Sequence, residues 1–347
     1  MLLRPVLNRS LAEEEQRKRA WEIIGTHGRT SLARYALLDD KLFFFSTGGS
    51  VVSYVVKNRV ALALGDPLGP AEDAEAAICQ FQLFCSRNYW LPAFYQVSRS
   101  FLDSYKRLGF HFVQIGHEAI VDLSRFSLAG TGNATLRHRT NKMIRLGYQG
   151  CLIEPPYSAH MLRELSAISQ EWLISHGASE LRFLGWFTES YLNTCPIMIV
   201  RDREGYIEAF ANVVTEFQAN EIHVDLMRQR GQVESGLMDF LFVSLFQWAQ
   251  EAGYESFNLG MSPLAGVGGH PGDPLLERVF HSIFYNANFY NFRGLYSFKQ
   301  KFHPDWSPRY LVYPGPASLP LVGLSVLKAL NANLGITLWG ILFPFGS

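Results

Sequence analysis

The chain has 347 residues, 48% hydrophobic and 18% charged, enough apolar material for two domains of ordinary size and far from the profile of a disordered chain. Its 31 basic and 31 acidic residues cancel to a net charge of +0, which excludes nucleic-acid binding through total charge and leaves only a local basic surface to consider. Cys79, Cys85, Cys151 and Cys195 form no CxxC pair and have no His at ligand spacing, which argues against a zinc site or a disulfide scaffold and for a reducing compartment.

At the N-terminus, acidic residues interrupt MLLRPVLNRSLAEEEQRKRAWEII before a signal-peptide core forms. The segments KLFFFS, SVVSYVVKN and RVALALGDPLG then predict strands, with a hairpin turn at Lys57-Asn58. A helix from Pro70 to about Asn88, a strand in YWLPAFYQV, a short helix near Ser100 to Leu108 and strands in FHFVQIGHEAIVDL complete a first α/β unit. A basic helix follows, ATLRHRTNKMIRLG, carrying Arg137, His138, Arg139, Lys142 and Arg145 within about two and a half turns. It reads either as a solvated linker or as a seat for phosphates.

The second half opens with a helix in which Leu162, Leu165, Ile168, Trp172 and Leu173 keep helical spacing. Three strands come next, in PIMIVRD, YIEAFANVVT and NEIHVDLM, forming an antiparallel meander with a turn at Glu204-Gly205. The loop RQRGQVESG leads into a helix striped by Leu237, Phe240, Leu241, Leu245 and Trp248, and a strand, ESFNLGM, follows. Helix, meander, Gly-containing loop, helix, strand is the order of the GNAT-type acyltransferases. The expected fold class is therefore α/β, with tandem GNAT-like domains and mixed, largely antiparallel sheets. The expected boundaries are 1–130 for the first domain, 131–150 for the basic connecting helix, 151–315 for the catalytic domain and 316–347 for an apolar tail. Lys328, Asn331 and Asn333 break that tail below the length of a bilayer span, so it lies either at a lipid interface or in a groove of the protein.

A strand that ends in a Gly-containing turn and enters a helix aims free N–H groups and a positive dipole end at one spot, where an anion can sit. Arg228 and Arg230 add guanidiniums there, and Asp225, Glu234 and Asp239 add carboxylates that can converge on one cavity. Acyl transfer needs such groups, to orient or deprotonate a nucleophile, hold an oxyanion and bind an ammonium. Asp239 also suits a plain helix start, whereas Asp225 interrupts an otherwise apolar strand. RQRGQVESG is a poor match for the tight loop that holds the pyrophosphate of acetyl-CoA, so CoA is not expected, and the proposed chemistry requires no metal. Downstream, FNLGMSPLAGVGGHPGDP is a loop suited to substrate contact through Asn258, Met261 and Ser262, with His270 either a base or simply solvated. NANFYNFRGLYSFKQKFHPDWSPRY, including Tyr290, Lys299 and Lys301, mixes aromatic and basic residues in a manner suited to single-stranded nucleic acid or to a core with surface lysines.

DLMR, SGLMDFLFVSLFQWAQEAGYESFNLGMSPLAGVG, FYNFRGL, SFKQKF and W-x-PRYL, together with GDPLG at 65–69 and LRHRTNKMIRLGY, resemble the catalytic domain of the aminoacyl-phosphatidylglycerol synthases, the multiple peptide resistance factor family. The resemblance covers about 65–315. It implies transfer of lysine or alanine from aminoacyl-tRNA to phosphatidylglycerol at the cytoplasmic face of a bacterial membrane, with a peripheral protein and an anionic lipid as partner. It further implies that Asp225, Arg228, Lys299 and Lys301 matter; on the leading reading the basic helix with Arg137, Arg139, Lys142 and Arg145, together with Lys299 and Lys301, holds the tRNA acceptor end, Arg228 and Arg230 face lipid phosphate, and Asp225 or Glu234 orients the attacking hydroxyl or the aminoacyl ammonium. Glu234-Ser235 and Asn286-Ala287 depart from the family pattern, and the family's multi-helix membrane domain is absent from these residues, which implies transfer without lipid flipping. Two other readings remain: a tRNA-dependent transferase with a peptide, cell-wall precursor or small-metabolite acceptor, and a non-catalytic membrane- or tRNA-binding relative.

Overall fold

The computed structural model describes residues 13–176, 180, 182–268 and 292–330; Tyr290, His270, Asn286, Ala287 and the tail beyond Leu330 lie outside them. The first half supplies β1 (Leu42–Phe45), β2 (Val51–Lys57), β3 (Val60–Leu64), β4 (Leu91–Ser98) and β5 (His111–Asp122). The second supplies β6 (Gln149–Ile153), β7 (Ile197–Arg201), β8 (Ile207–Thr215), β9 (Glu221–Gln229), β10 (Ser256–Pro263) and β11 (Asp305–Tyr313). Helices α1 to α8 span Glu14–His27, Leu32–Tyr35, Ala74–Arg87, Leu102–Arg107, Ala134–Arg145, Ala159–Ser175, Glu189–Leu192 and Leu237–Glu251, and two more cover Phe292–Gln300 and Leu319–Ala329. The hairpin after β2 turns on Asn58 and Arg59, both at positive φ, one residue later than expected.

The eleven strands among the described residues join one sheet, in the order β1-β2-β3-β4-β11-β5-β10-β9-β8-β7-β6. Its pairings are antiparallel except β3–β4 and β9–β10, each bridged by one long helix, α3 or α8, because parallel strands need a crossover. One sheet thus runs through both halves. β11, expected in the second domain, inserts between β4 and β5 of the first half and pairs with both. Nor is 131–150 a free connector: Leu136 and Met143 of α5 enter the α8 core, and β6 closes the sheet edge beside β7.

Side-chain alternation puts helices on both faces. Along β7, Met198 and Val200 belong to the core under α5 and α8, while Ile197 and Ile199 join the core under α6. Along β3, Ala61 and Ala63 meet α3, whereas Val60, Leu62 and Leu64 meet Val322, Val326 and Ala329 of the helix Leu319–Ala329. The start of the apolar tail thus lies in a groove of the protein, where burying Val322 and Val326 stabilises the fold by roughly 1.5 kcal/mol apiece and Ala329 by about half that.

Candidate active site

Two interruptions of the sheet create the site. On β9, Ala211 stands opposite Met227 and Val213 opposite Val224, so the single residue Asn212 faces both Asp225 and Leu226. This bulge leaves two backbone N–H groups that the ladder does not use, and Asn212 Oδ1 accepts both, at 3.2 Å from Asp225 N and 2.7 Å from Leu226 N. On β10, pairing with β9 holds only for Ser256 to Asn258. Gly260 then takes φ +75° and the register against β5 slips between Asn258 and Met261, so the two parallel strands part and leave a wedge.

Asp225 sits on the β9 side of that wedge. Tyr191 of α7 donates to its Oδ2 at 2.6 Å, and Gly185, at φ +108°, packs so closely that a Cβ there would lie 2.2 Å from the same oxygen. Burial pushes the Asp225 carboxyl up to about 6, opposed by the Tyr191 hydrogen bond and by the charges of His223 and Arg228. Arg228, also buried, stacks on Trp172 with its guanidinium carbon 4.2 Å from the ring centroid and donates to Glu180 at 3.3 Å. Its Nε has no hydrogen-bond partner among the described residues, leaving one donor for a substrate oxygen.

Lys299, delivered by the helix Phe292–Gln300, fills the wedge from the β10 side. Its Nζ donates to Gly260 O at 3.0 Å and Met261 O at 2.9 Å, the carbonyls that the parted strand no longer uses. Burial pushes its ammonium down to about 7, with Glu118 opposing. Glu118 itself is buried, and Arg309 beside it outweighs that burial and holds its carboxyl below the usual range; Ser31 donates to its other oxygen at 3.0 Å. Asn258 is turned inward, donating to Glu221 at 3.0 Å and accepting from Gly260 N at 2.8 Å. Ser262 Oγ is buried without a hydrogen-bond partner among the described residues, and Met261 is partly exposed.

The other predicted residues gather elsewhere, at the start of α8. Gly236, at φ +99°, turns the chain into the helix. A cleft of about 240 Å³ opens there, lined by Arg139, Glu234, Ser235, Asp239, Phe298 and Lys301 among others, but by neither Asp225 nor Arg228. The expected single cavity is therefore two adjoining groups. Asp239 is not a cap: its carboxylate, 4% exposed, accepts from Arg139 at 2.5 Å and Lys301 at 2.8 Å, and Glu234 pairs with Lys142 at 2.6 Å. Arg137 is tied to Leu128 O and Gly130 O, while Arg145 is exposed. Arg230 does not turn toward this mouth, because Glu164, Glu171 and Glu208 surround it at 3.6 to 3.8 Å and its Nε donates to Ile207 O.

Asn212, Tyr191, Gly185, Glu180 and Trp172 are missing from the sequence-derived site. Each lies 10 to 60 residues from the side chain it positions, and only the polar Asn212 within an apolar strand signals it locally.

Twice along this chain, antiparallel strands lead into a parallel pair crossed by one helix, which defines a tandem GNAT-type α/β acyltransferase fold with its polar site where the second pair parts. The chain belongs to the family described as phosphatidylglycerol lysyltransferase, C-terminal, whose family model matches residues 21–313. A phosphatidylglycerol lysyltransferase of Bacillus subtilis (strain 168) is 37% identical over 325 residues, 93% of this chain and 38% of that protein. The chain thus spans under two-fifths of that relative's length. The structure of L-PGS from Bacillus licheniformis matches with a TM-score of 0.82 at 34% identity, covering 93% of this chain and 98% of that one. The C-terminal domain of a putative lysylphosphatidylglycerol synthetase from Agrobacterium fabrum matches at 0.80 and 34% identity, covering 92% and 98%. Among the described residues no helix is long and apolar enough to cross a membrane.

Proposed function

We propose that this chain transfers an aminoacyl group, lysyl or alanyl, from aminoacyl-tRNA to a hydroxyl of phosphatidylglycerol at the cytoplasmic surface of a bacterial membrane. The observation that carries the reading is the parting of β9 and β10 in a chain of this family, with Asp225 and Arg228, whose Nε has no hydrogen-bond partner among the described residues, on β9 and the buried Lys299 ammonium on the freed carbonyls of β10. The reaction exchanges one ester for another, so it needs proton management and charge stabilisation rather than an energy source. The acceptor oxygen attacks the ester carbonyl and gives its proton to the Asp225 carboxylate. Arg228 Nε holds the oxygen that becomes negative. When the tetrahedral adduct collapses, the bond to the terminal ribose oxygen breaks and that oxygen takes a proton from the Lys299 ammonium. Exchange with solvent then restores both groups, Asp225 losing its proton to water and Lys299 regaining one.

The α8 cleft supplies the complementary task. Arg139 and Lys301 line an anion-favouring helix start, Lys142 stands behind them on Glu234, and Arg145 extends the basic surface outward. The tRNA acceptor end follows this face, and the lipid phosphate approaches the cleft, not Arg230.

Purified protein incubated with labelled lysyl- or alanyl-tRNA and phosphatidylglycerol vesicles should place label in the organic phase. Label appearing only on a peptide or soluble acceptor would move the acceptor to the second reading, and no transfer from either tRNA would end the proposal.

A further inference from the structure

The cover over Asp225 is pinned by a side chain from the other half of the chain. One helical turn, Arg182–Leu184, leads into Gly185, where a Cβ would lie 2.2 Å from Asp225 Oδ2. Tyr191 of α7 donates to the same oxygen. Phe183 turns away from this contact. Its ring is fully buried and belongs to the apolar core that holds Leu32, Tyr35, Leu64 and Tyr95, with the Tyr95 ring 6.1 Å away between centroids.

Lys41, immediately before β1, meets Phe183 there. Its side chain is 0% exposed. Nζ donates to Phe183 O at 3.1 Å and to Asp40 Oδ1 at 2.5 Å, and stands 4.6 Å from the centre of the Phe183 ring. Burial pushes this ammonium down to about 8, with Asp40 opposing. Sealing an ammonium in an apolar core costs free energy that a methionine of like length would not. What the lysine supplies is a donor for a carbonyl that lies outside any strand ladder, where an unpaired oxygen would itself be costly. β1 is the outermost strand of the first half, so this hydrogen bond ties the far edge of the sheet to the turn that rests on Asp225.

We propose that Lys41 is a positioning residue: its bond to Phe183 O fixes the 183–185 turn against the Asp225 carboxyl and so fixes where that carboxyl points. The effect on rate rests on the transfer reading; the clamp itself does not.

Lys41→Met, of like length without a donor, tests it in the full chain. Amide hydrogen exchange followed by mass spectrometry should quicken about tenfold across 183–187, the scale of one lost hydrogen bond, while β8 and α8 keep their original protection. At saturating substrates kcat should fall by about tenfold or more, the scale of misplacing a reacting group by under an ångström, with KM for aminoacyl-tRNA and for phosphatidylglycerol vesicles nearly kept. A lysine that served only general stability would loosen β8 and α8 as well and leave kcat per folded molecule unchanged, and that result overturns the proposal. Lys41→Gln keeps an N–H for the carbonyl and should recover most of both losses; equal losses in the two variants overturn it too. A third measurement needs no variant to fold. In the unaltered chain acetic anhydride should acylate Lys41 no faster than the 183–187 amides open, and acylation while those amides stay protected overturns the proposal. If transfer is absent while exchange changes as stated, the functional reading fails and the clamp stands.

Discussion

Tyr191 donates its phenolic proton to Oδ2 of Asp225 across 2.6 Å, joining a short helix between two loops to a bulged strand 34 residues later. That hydrogen bond favours the ionised carboxylate, against the burial that pushes its pKa up to about 6. Tyr191→Phe should therefore raise the acid limb of the kcat/KM profile, slowing transfer severalfold at pH 6 and much less at pH 8. A limb that stays in place would separate Tyr191 from the protonation of Asp225.

Asp225→Asn should cut transfer by at least about a hundredfold, the usual scale for losing a general base, while stabilising the protein. The sign follows from linkage. The folded value, about 6, lies above the unfolded one near 3.8, so the folded state binds the proton more tightly. The native chain is favoured by this group below the unfolded pKa and loses that contribution as pH rises through about 6. The variant should thus gain on the order of 2 kcal/mol at pH 8 and little at pH 4, as denaturant melts at both pH values would show.

Lys299, with its ammonium lowered to about 7, should set the basic limb. Transfer requires Asp225 ionised and Lys299 charged, so the profile should be bell-shaped, with its optimum between about 6 and 7. Lys299→Met should abolish the basic limb along with most activity. A basic limb that persists in the residual activity would assign it to another group.

Backbone geometry offers a test free of charge effects. Gly185→Ala places a methyl 2.2 Å from Asp225 Oδ2 at a φ of +108°, so it should lower both stability and kcat. Asn212→Leu strands two buried N–H groups at the bulge, which should cost roughly 2 kcal/mol or more of stability. Crystal structures of either variant should show Asp225 displaced.

At the α8 cleft, Arg139 and Lys301 share the buried carboxylate of Asp239. Arg139→Gln should raise KM for aminoacyl-tRNA severalfold and weaken its salt dependence, with kcat nearly kept. A loss confined to kcat would move Arg139 from binding into the chemistry.

The strands of both meanders and helices α3, α6 and α8 were legible in the sequence, because alternation and helical spacing are local signals. Asp225 drew notice as a carboxylate in an apolar strand, and the long amphipathic helices were read from their spacing, without the parallel pairs they bridge. Tertiary structure alone decided that β11 crosses into the first half, that β9 and β10 part at Gly260, and that the α8 cleft is lined by Asp239 and not by Asp225. Strand neighbours and convergence depend on contacts between residues far apart in the chain, and no local pattern encodes them. The same holds for charge. A sequence shows Arg230 and Arg228 as equals two residues apart, whereas folding surrounds the first with three carboxylates and stacks the second on Trp172 with a donor left over.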